Sequence, residues 1–193
     1  MRMLKEIIDE YIILTDESFK ALSKLVIKKN YHKKDFLIKD KKDFNKFFIL
    51  TDGIARSATL DDDGKKRTRD IFQPPWIFTS LKNNIQKDDF FFSIEFDCLT
   101  DVIVYEGDFL KLKEILPKYP DLVQLYIRCL ETTLLKFIDN AAMFAHLDAT
   151  ERYLSLKKKI PNIENLIQLN HIANYLNITP VQFSRIRKKK YSI

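Results

Sequence analysis

The chain has 193 residues, 33 Lys and Arg against 27 Asp and Glu, a formal net charge of +6 and 46% apolar residues, the balance of a soluble globular protein with enough chain for a real core. It has three glycines, where average usage gives about 13, and neither a P-loop nor a dinucleotide fingerprint is present. The two cysteines, Cys98 and Cys129, make neither a metal cluster nor a disulfide framework. With no run of 18 apolar residues and an N-terminus broken by charge, the expectation is a cytoplasmic protein without membrane span or cofactor.

Residues 3–14 and 16–29 read as helices, the second with Thr15 or Asp16 as N-cap and Phe19, Leu22, Leu25 and Val26 at helical spacing. From residue 35 the texture changes to short strands at 35–39, 46–50, 54–61, 65–72, 90–97 and 102–105, rich in Phe, Ile and Val. Asp62-Asp63-Gly64 reads as a hairpin turn and Gly53 as an earlier reversal. Several short strands at near-regular spacing imply an antiparallel sandwich or barrel. Pro74-Pro75 interrupts it and opens an irregular excursion to about residue 89.

A short helix near 108–116 precedes a long one at 121–145 that contains neither Gly nor Pro. Val123, Ile127, Leu130, Leu134, Phe137, Ala141 and Phe144 recur there at alternating steps of 4 and 3. Three sustained heptads form a coiled-coil seam and predict a dimer interface. Leu122, Leu125, Tyr126, Leu135 and Ile138 offer a second face that can pack on the β domain. Asp148-Ala149-Thr150-Glu151 then has the form of a capping box opening a helix through about Lys159.

The positive excess is confined to the end of the chain. Residues 149–193 carry 9 basic and 2 acidic side chains, and residues 1–148 carry 24 and 25. A small basic unit beside a neutral body suggests a polyanion partner, nucleic acid first. Within it, LIQLNHIANYLNITPVQFSRIRKKK places Leu169, Ile172, Ala173 and Leu176 on one face of a short helix. Asn177 suits the left-handed residue of a tight turn and Ile178 plugs that turn. Thr179 caps a second helix, Pro180 sits in its first turn, and Phe183 and Ile186 form its buried side. This is a helix-turn-helix. Gln182, Ser184 and Arg185 are the candidate base readers; Thr179, Lys188 and Lys189 are the candidate phosphate contacts.

The whole pattern resembles the catabolite activator / fumarate-nitrate regulator (Crp/Fnr) superfamily of transcription factors. KKDFLIKD and FFILTDGIARSATLDDDGKKRTRDIF resemble its β-roll, HLDATERYLSL its hinge, and IANYLNITPVQFSRIRKKK its helix-turn-helix. The resemblance implies an α+β protein: a β-roll sensor domain (1–116), a dimerisation helix (117–147) and a winged-helix-like DNA-binding domain (148–193). It further implies a homodimer on an inverted repeat of double-stranded DNA, with RNA polymerase and a small-molecule effector as further candidate partners. The sensor departs from the cyclic-nucleotide pattern. The Gly-Glu element is missing, and Phe90 and Phe91 stand where Arg and Ser are expected. Phe137-Ile138 replaces a polar pair that reads adenine in some relatives. Cyclic AMP is not the expected ligand; Trp76, Phe90, Phe92 and Phe137 are candidate walls of an effector pocket.

No spacing of His32, His146 and His171 supports a metal site or a catalytic triad. His32 and His171 read as surface residues and His146 as packed. No catalytic constellation is found. The alternative to a DNA-binding regulator is a sensor of the same fold that works through protein partners, since Pro180 and Val181 stand where relatives often place polar base readers.

Overall fold

A computed structural model describes residues 3–39, 43–60, 66–80 and 93–191, with only the backbone at Ser93, Lys190 and Tyr191. Helices α1 (Leu4–Asp9) and α2 (Asp16–Leu25) lead into strands β1 (Val26–Tyr31), β2 (Phe36–Ile38), β3 (Lys46–Asp52), β4 (Ala55–Leu60), β5 (Lys66–Phe72), β6 (Trp76–Thr79), β7 (Ser93–Cys98) and β8 (Val102–Asp108). Helix α3 (Phe109–Ile115) and a 3-10 turn (Leu116–Lys118) precede the long helix α4 (Pro120–His146). Four helices follow: α5 (Ala149–Lys159), α6 (Ile163–Leu166), α7 (Leu169–Tyr175) and α8 (Pro180–Tyr191).

The strands form two antiparallel four-stranded sheets, in the orders β1-β8-β3-β6 and β2-β7-β4-β5. Side chains alternate along a strand, and β3 shows the consequence. Phe47 and Ile49 face a core shared with α1, α2, α3 and the start of α4. Phe48 and Leu50 face the core between the two sheets. Gly53 turns the chain between β3 and β4 at φ +83, where an added Cβ would stand 2.2 Å from the Asp101 carbonyl oxygen. The N-cap of α2 is Thr15. Asp121 at the start of α4 accepts from the Thr15 amide (2.9 Å), the Thr15 hydroxyl (3.0 Å) and the Ser18 hydroxyl, so the first turns of α2 and α4 are tied together.

Four readings of the sequence are corrected. The first helix stops at Asp9 rather than residue 14, and the second at Leu25 rather than 29. Residues 26–31 become a strand because β8 pairs along their whole length, from Val26 opposite Gly107 to Tyr31 opposite Val102; tertiary pairing overrides the helical spacing. The excursion after Pro75 begins with a strand, β6, paired to β3 from Leu50 opposite Trp76 to Phe47 opposite Thr79. Among the described residues no strand follows α4, so the implied wing is not seen there. The turn at Asp62-Asp63-Gly64 and the pocket candidates Phe90 and Phe92 lie outside the described residues. No helix among the described residues is long and apolar enough to cross a membrane.

Candidate nucleic-acid interface and effector cavity

The C-terminal helices are built by local rules. Asp148 accepts from the amides of Thr150 (2.7 Å) and Glu151 (2.8 Å), while Glu151 accepts from the Asp148 amide (2.8 Å), completing the capping box of α5. Glu164, 8% exposed at its side chain, then gathers Lys157 of α5 (3.3 Å), Arg187 of α8 (3.1 Å) and the Tyr153 hydroxyl. Arg187 therefore braces α8 against α6.

Helix α7 ends in a Schellman turn. The Ile178 amide donates to the Ala173 carbonyl (3.0 Å) and the Asn177 amide to that of Asn174 (3.1 Å), with Asn177 left-handed at φ +56. Thr179 and Gln182 cap α8 reciprocally: the Gln182 amide donates to the Thr179 hydroxyl (3.1 Å) and the Thr179 amide to the Gln182 side-chain oxygen (2.9 Å). Phe183, 2% exposed, meets the fully buried Tyr153 ring edge-on at 5.2 Å. These contacts fix the roll of α8 about its axis. Thr179, Val181, Gln182, Ser184, Arg185, Lys188 and Lys189 are left exposed. Residues 181, 184, 185 and 188 share a face by helical spacing. The six sequence-predicted contacts thus lie on one exposed surface, with Gln182 held back by its cap.

The helix-turn-helix is docked on the sheet domain. Arg56 of β4, 6% exposed, pairs with Asp97 of β7 through two bonds of 2.7 and 3.0 Å, and a further guanidinium nitrogen donates to Thr68 (2.9 Å). That same nitrogen lies 2.9 Å from Nδ1 of His171 on α7. Burial, then the Arg56 charge, push the imidazole from 6.5 down to about 4, against the opposing pull of Asp97. The ring is neutral at pH 7 and accepts from the guanidinium. Asn174 binds the backbone of the edge strand β5, accepting from the Thr68 amide and donating to the Lys66 carbonyl (3.3 Å). One apolar core runs through this junction, joining Ile71 of β5, Ile54 and Leu99 of the turns beside β4 and β7, and Met143 of α4 to α5–α8. His171 is thus a contact between α7 and β4, correcting its reading as a surface residue, and His146 is exposed, correcting its reading as packed. Arg56, Thr68, His171 and Asn174 were missed because their partners lie 12 to 115 positions away. An arginine inside the apolar run Ile54-Ala55-Arg56-Ser57-Ala58 was the available signal.

Helix α4, 27 residues and about 40 Å long, serves two surfaces. Leu122, Leu125 and Met143 are buried. On the heptad seam, Ile127, Leu130, Leu134, Phe137 and Phe144 are 37 to 58% exposed; Ala141 is also exposed and Val123 half-buried. Leu135 (64%) and Ile138 (51%) do not join the second, core-facing side and instead widen the exposed strip.

Between α4 and the sheets lies a cavity of about 530 Å³. Its inner wall is a series of stacked rings: Phe78 meets Phe96 at 5.2 Å and Phe72 at 5.6 Å, and Phe72 meets Trp76 at 5.7 Å. Phe137 stands at the mouth, more than half exposed. Trp76 and Phe137 line the space together, as the sequence suggests. Lys136 reaches from α4 to the Asp70 carboxylate (3.0 Å) and the Ile71 carbonyl (2.9 Å), lying over the Phe72 and Trp76 rings at 4.5 and 4.4 Å. Burial raises the Asp70 carboxyl and lowers the Lys136 amine, each opposed by the attraction of the other. Cys129 also lines the cavity, its thiol pushed up to about 12 by burial, and both cysteines are free. Among the described residues no group of three or more His, Cys, Asp or Glu could hold a metal ion.

No protein-family model and no curated protein matches this sequence. Solved structures do match. The c-di-GMP responsive global regulator CLP of Xanthomonas campestris is 13% identical, with 92% of each chain covered and a TM-score of 0.71. A protein described as a transcriptional regulator of the Crp/Fnr family from Eubacterium rectale is 15% identical over 91% of this chain and 83% of its own, at 0.72. FixK2 of Bradyrhizobium japonicum is 15% identical over 87% and 85%, at 0.69. At these identities the likeness is one of architecture. The chain has the fold of the Crp/Fnr-type transcription regulators, from β-roll through long helix to helix-turn-helix.

Proposed function

We propose that the protein is a homodimeric, sequence-specific DNA-binding transcription regulator that reads an inverted repeat with α8 and performs no catalysis. The exposed face of α8 on a capped helix-turn-helix carries the reading, and the regulator fold of the neighbours supports it. Arg185 is the base reader, paired two-pronged with guanine, and Ser184 lies beside it. Thr179, Lys188 and Lys189 hold phosphates and set register. Gln182 first holds the cap, and its adenine contact requires release from Thr179. The seam Val123, Ile127, Leu130, Leu134, Phe137, Ala141 and Phe144 joins two chains, and RNA polymerase is a further partner.

The dimer is the testable core. Leu134 is 58% exposed in a single chain, so Leu134→Glu leaves the fold intact while placing two carboxylates in the seam. Light scattering should give twice the 22.9 kDa chain mass for the wild type and a single chain for the variant, with tight duplex binding lost in step. A monomeric wild type would overturn the seam.

A second reading follows from Val181, 61% exposed at the first turn of α8. An apolar side chain there suits a protein partner, and on this reading the helix docks on protein instead of DNA.

A further inference from the structure

The cavity behind α4 has a distribution of charge that selects its occupant. At about 530 Å³ it has the size of a site for a small organic molecule. Its aromatic wall gives water few partners. Among the described residues two cations and one anion line it: Lys136, Arg69 and Asp70. Lys136 is already matched by Asp70 and the Ile71 carbonyl. Arg69 is exposed and lies over the Phe137 ring at the mouth, 5.6 Å from its centroid. Among the described residues one net positive charge is thus available, and in a single chain it sits at the solvent rim. A phosphate deep in the cavity would be desolvated against rings, at a large cost. A single acid head left at the rim keeps its water, meets Arg69, and neutralises the site.

We propose that this cavity binds an amphipathic monocarboxylate, its head at the Arg69 rim and its apolar body among Phe72, Trp76, Phe78 and Phe96. The inference rests on the regulator reading only where the ligand is called an effector. There the wiring is short. Asn140 and Phe144 line the cavity, and both touch Tyr175 of α7: the tyrosine hydroxyl donates to Asn140 (3.3 Å), and the Phe144 ring meets the tyrosine edge-on at 6.4 Å. An occupant therefore presses on the residues that seat the helix-turn-helix.

The test uses dodecanoate, 1-dodecanol and cyclic AMP, titrated calorimetrically into the full chain without DNA. Dodecanoate should bind once per chain, dodecanol at least tenfold more weakly and cyclic AMP not at all. Arg69→Gln, at an exposed position, should weaken dodecanoate about tenfold, the loss of one charge-assisted contact, and leave dodecanol unchanged. Thr133→Trp, from an exposed residue lining the cavity, should block both alcohol and acid while dimer mass and melting temperature hold. No saturable dodecanoate binding, equal affinity for acid and alcohol, binding of cyclic AMP in place of dodecanoate, or indifference to either substitution would overturn the proposal. Because DNA is absent, failure of the ligand leaves the DNA reading standing, and failure of DNA recognition leaves the titration readable.

Discussion

Acid should destabilise the seat of the helix-turn-helix through one residue, His171. Its imidazole is held neutral against Arg56, with its pKa moved from 6.5 to about 4. Between those values the unfolded chain takes up a proton that the folded chain refuses, so stability falls as the pH falls through this window and is level above it. The full shift corresponds to about 3 kcal/mol, of which about 2 kcal/mol is lost by pH 5. The ring keeps part of its hydration, so these figures are ceilings. His171→Gln keeps an acceptor for Arg56 and has no proton to gain. Urea unfolding of both proteins at pH 7.5 and pH 5.0 isolates the effect, since the carboxylates titrate in both. The wild type should lose up to about 2 kcal/mol more than the variant across this interval. Parallel losses would refute the half-buried, neutral His171 and with it the polar half of the docking surface.

The remaining predictions concern the helix-turn-helix. Phe183→Ala removes a ring packed against Tyr153 and should cost about 3–5 kcal/mol in chemical unfolding; a cost under about 1 kcal/mol would mean that α8 is not seated as described. Asn177→Gly should leave stability near the wild-type value, whereas Asn177→Val forces a β-branched residue to positive φ and should lower it by at least about 1–2 kcal/mol in thermal melts. Arg185→Ala should relax base preference at one position of a bound site, read by competition among single-base variants. Lys188→Ala should weaken all duplexes alike and lower the slope of log affinity against log salt by about 1.

What the sequence made legible was whatever local spacing encodes. The capping box at Asp148, the left-handed turn at Asn177 and the cap at Thr179 each need only a few neighbouring residues, and all three form. The exposed apolar strip on α4 was legible for the same reason, since a heptad is a local period. Strand β1 was not, because its partner β8 lies more than 70 positions away and Val26 fits a helix face equally well. The docking of α7 on β5 was hidden for a stronger reason. Asn174 binds backbone atoms, which carry no sequence signal, and His171 meets an arginine that looks like a misplaced surface charge until Asp97 is brought beside it. The apolar cavity was half legible: Trp76 and Phe137 are candidate walls in the sequence, whereas the Lys136 and Asp70 pair required the fold to bring α4 onto β5.

The most direct test of the account is selection of the purified protein on random-sequence duplex DNA, followed by affinity for the selected and bulk sequences at two salt concentrations. The account predicts an enriched inverted repeat, its half-sites about one helical turn apart, bound at least about a thousandfold more tightly than bulk DNA. Salt-sensitive binding with no enriched sequence would contradict it and move α8 from DNA reader to docking surface for a protein.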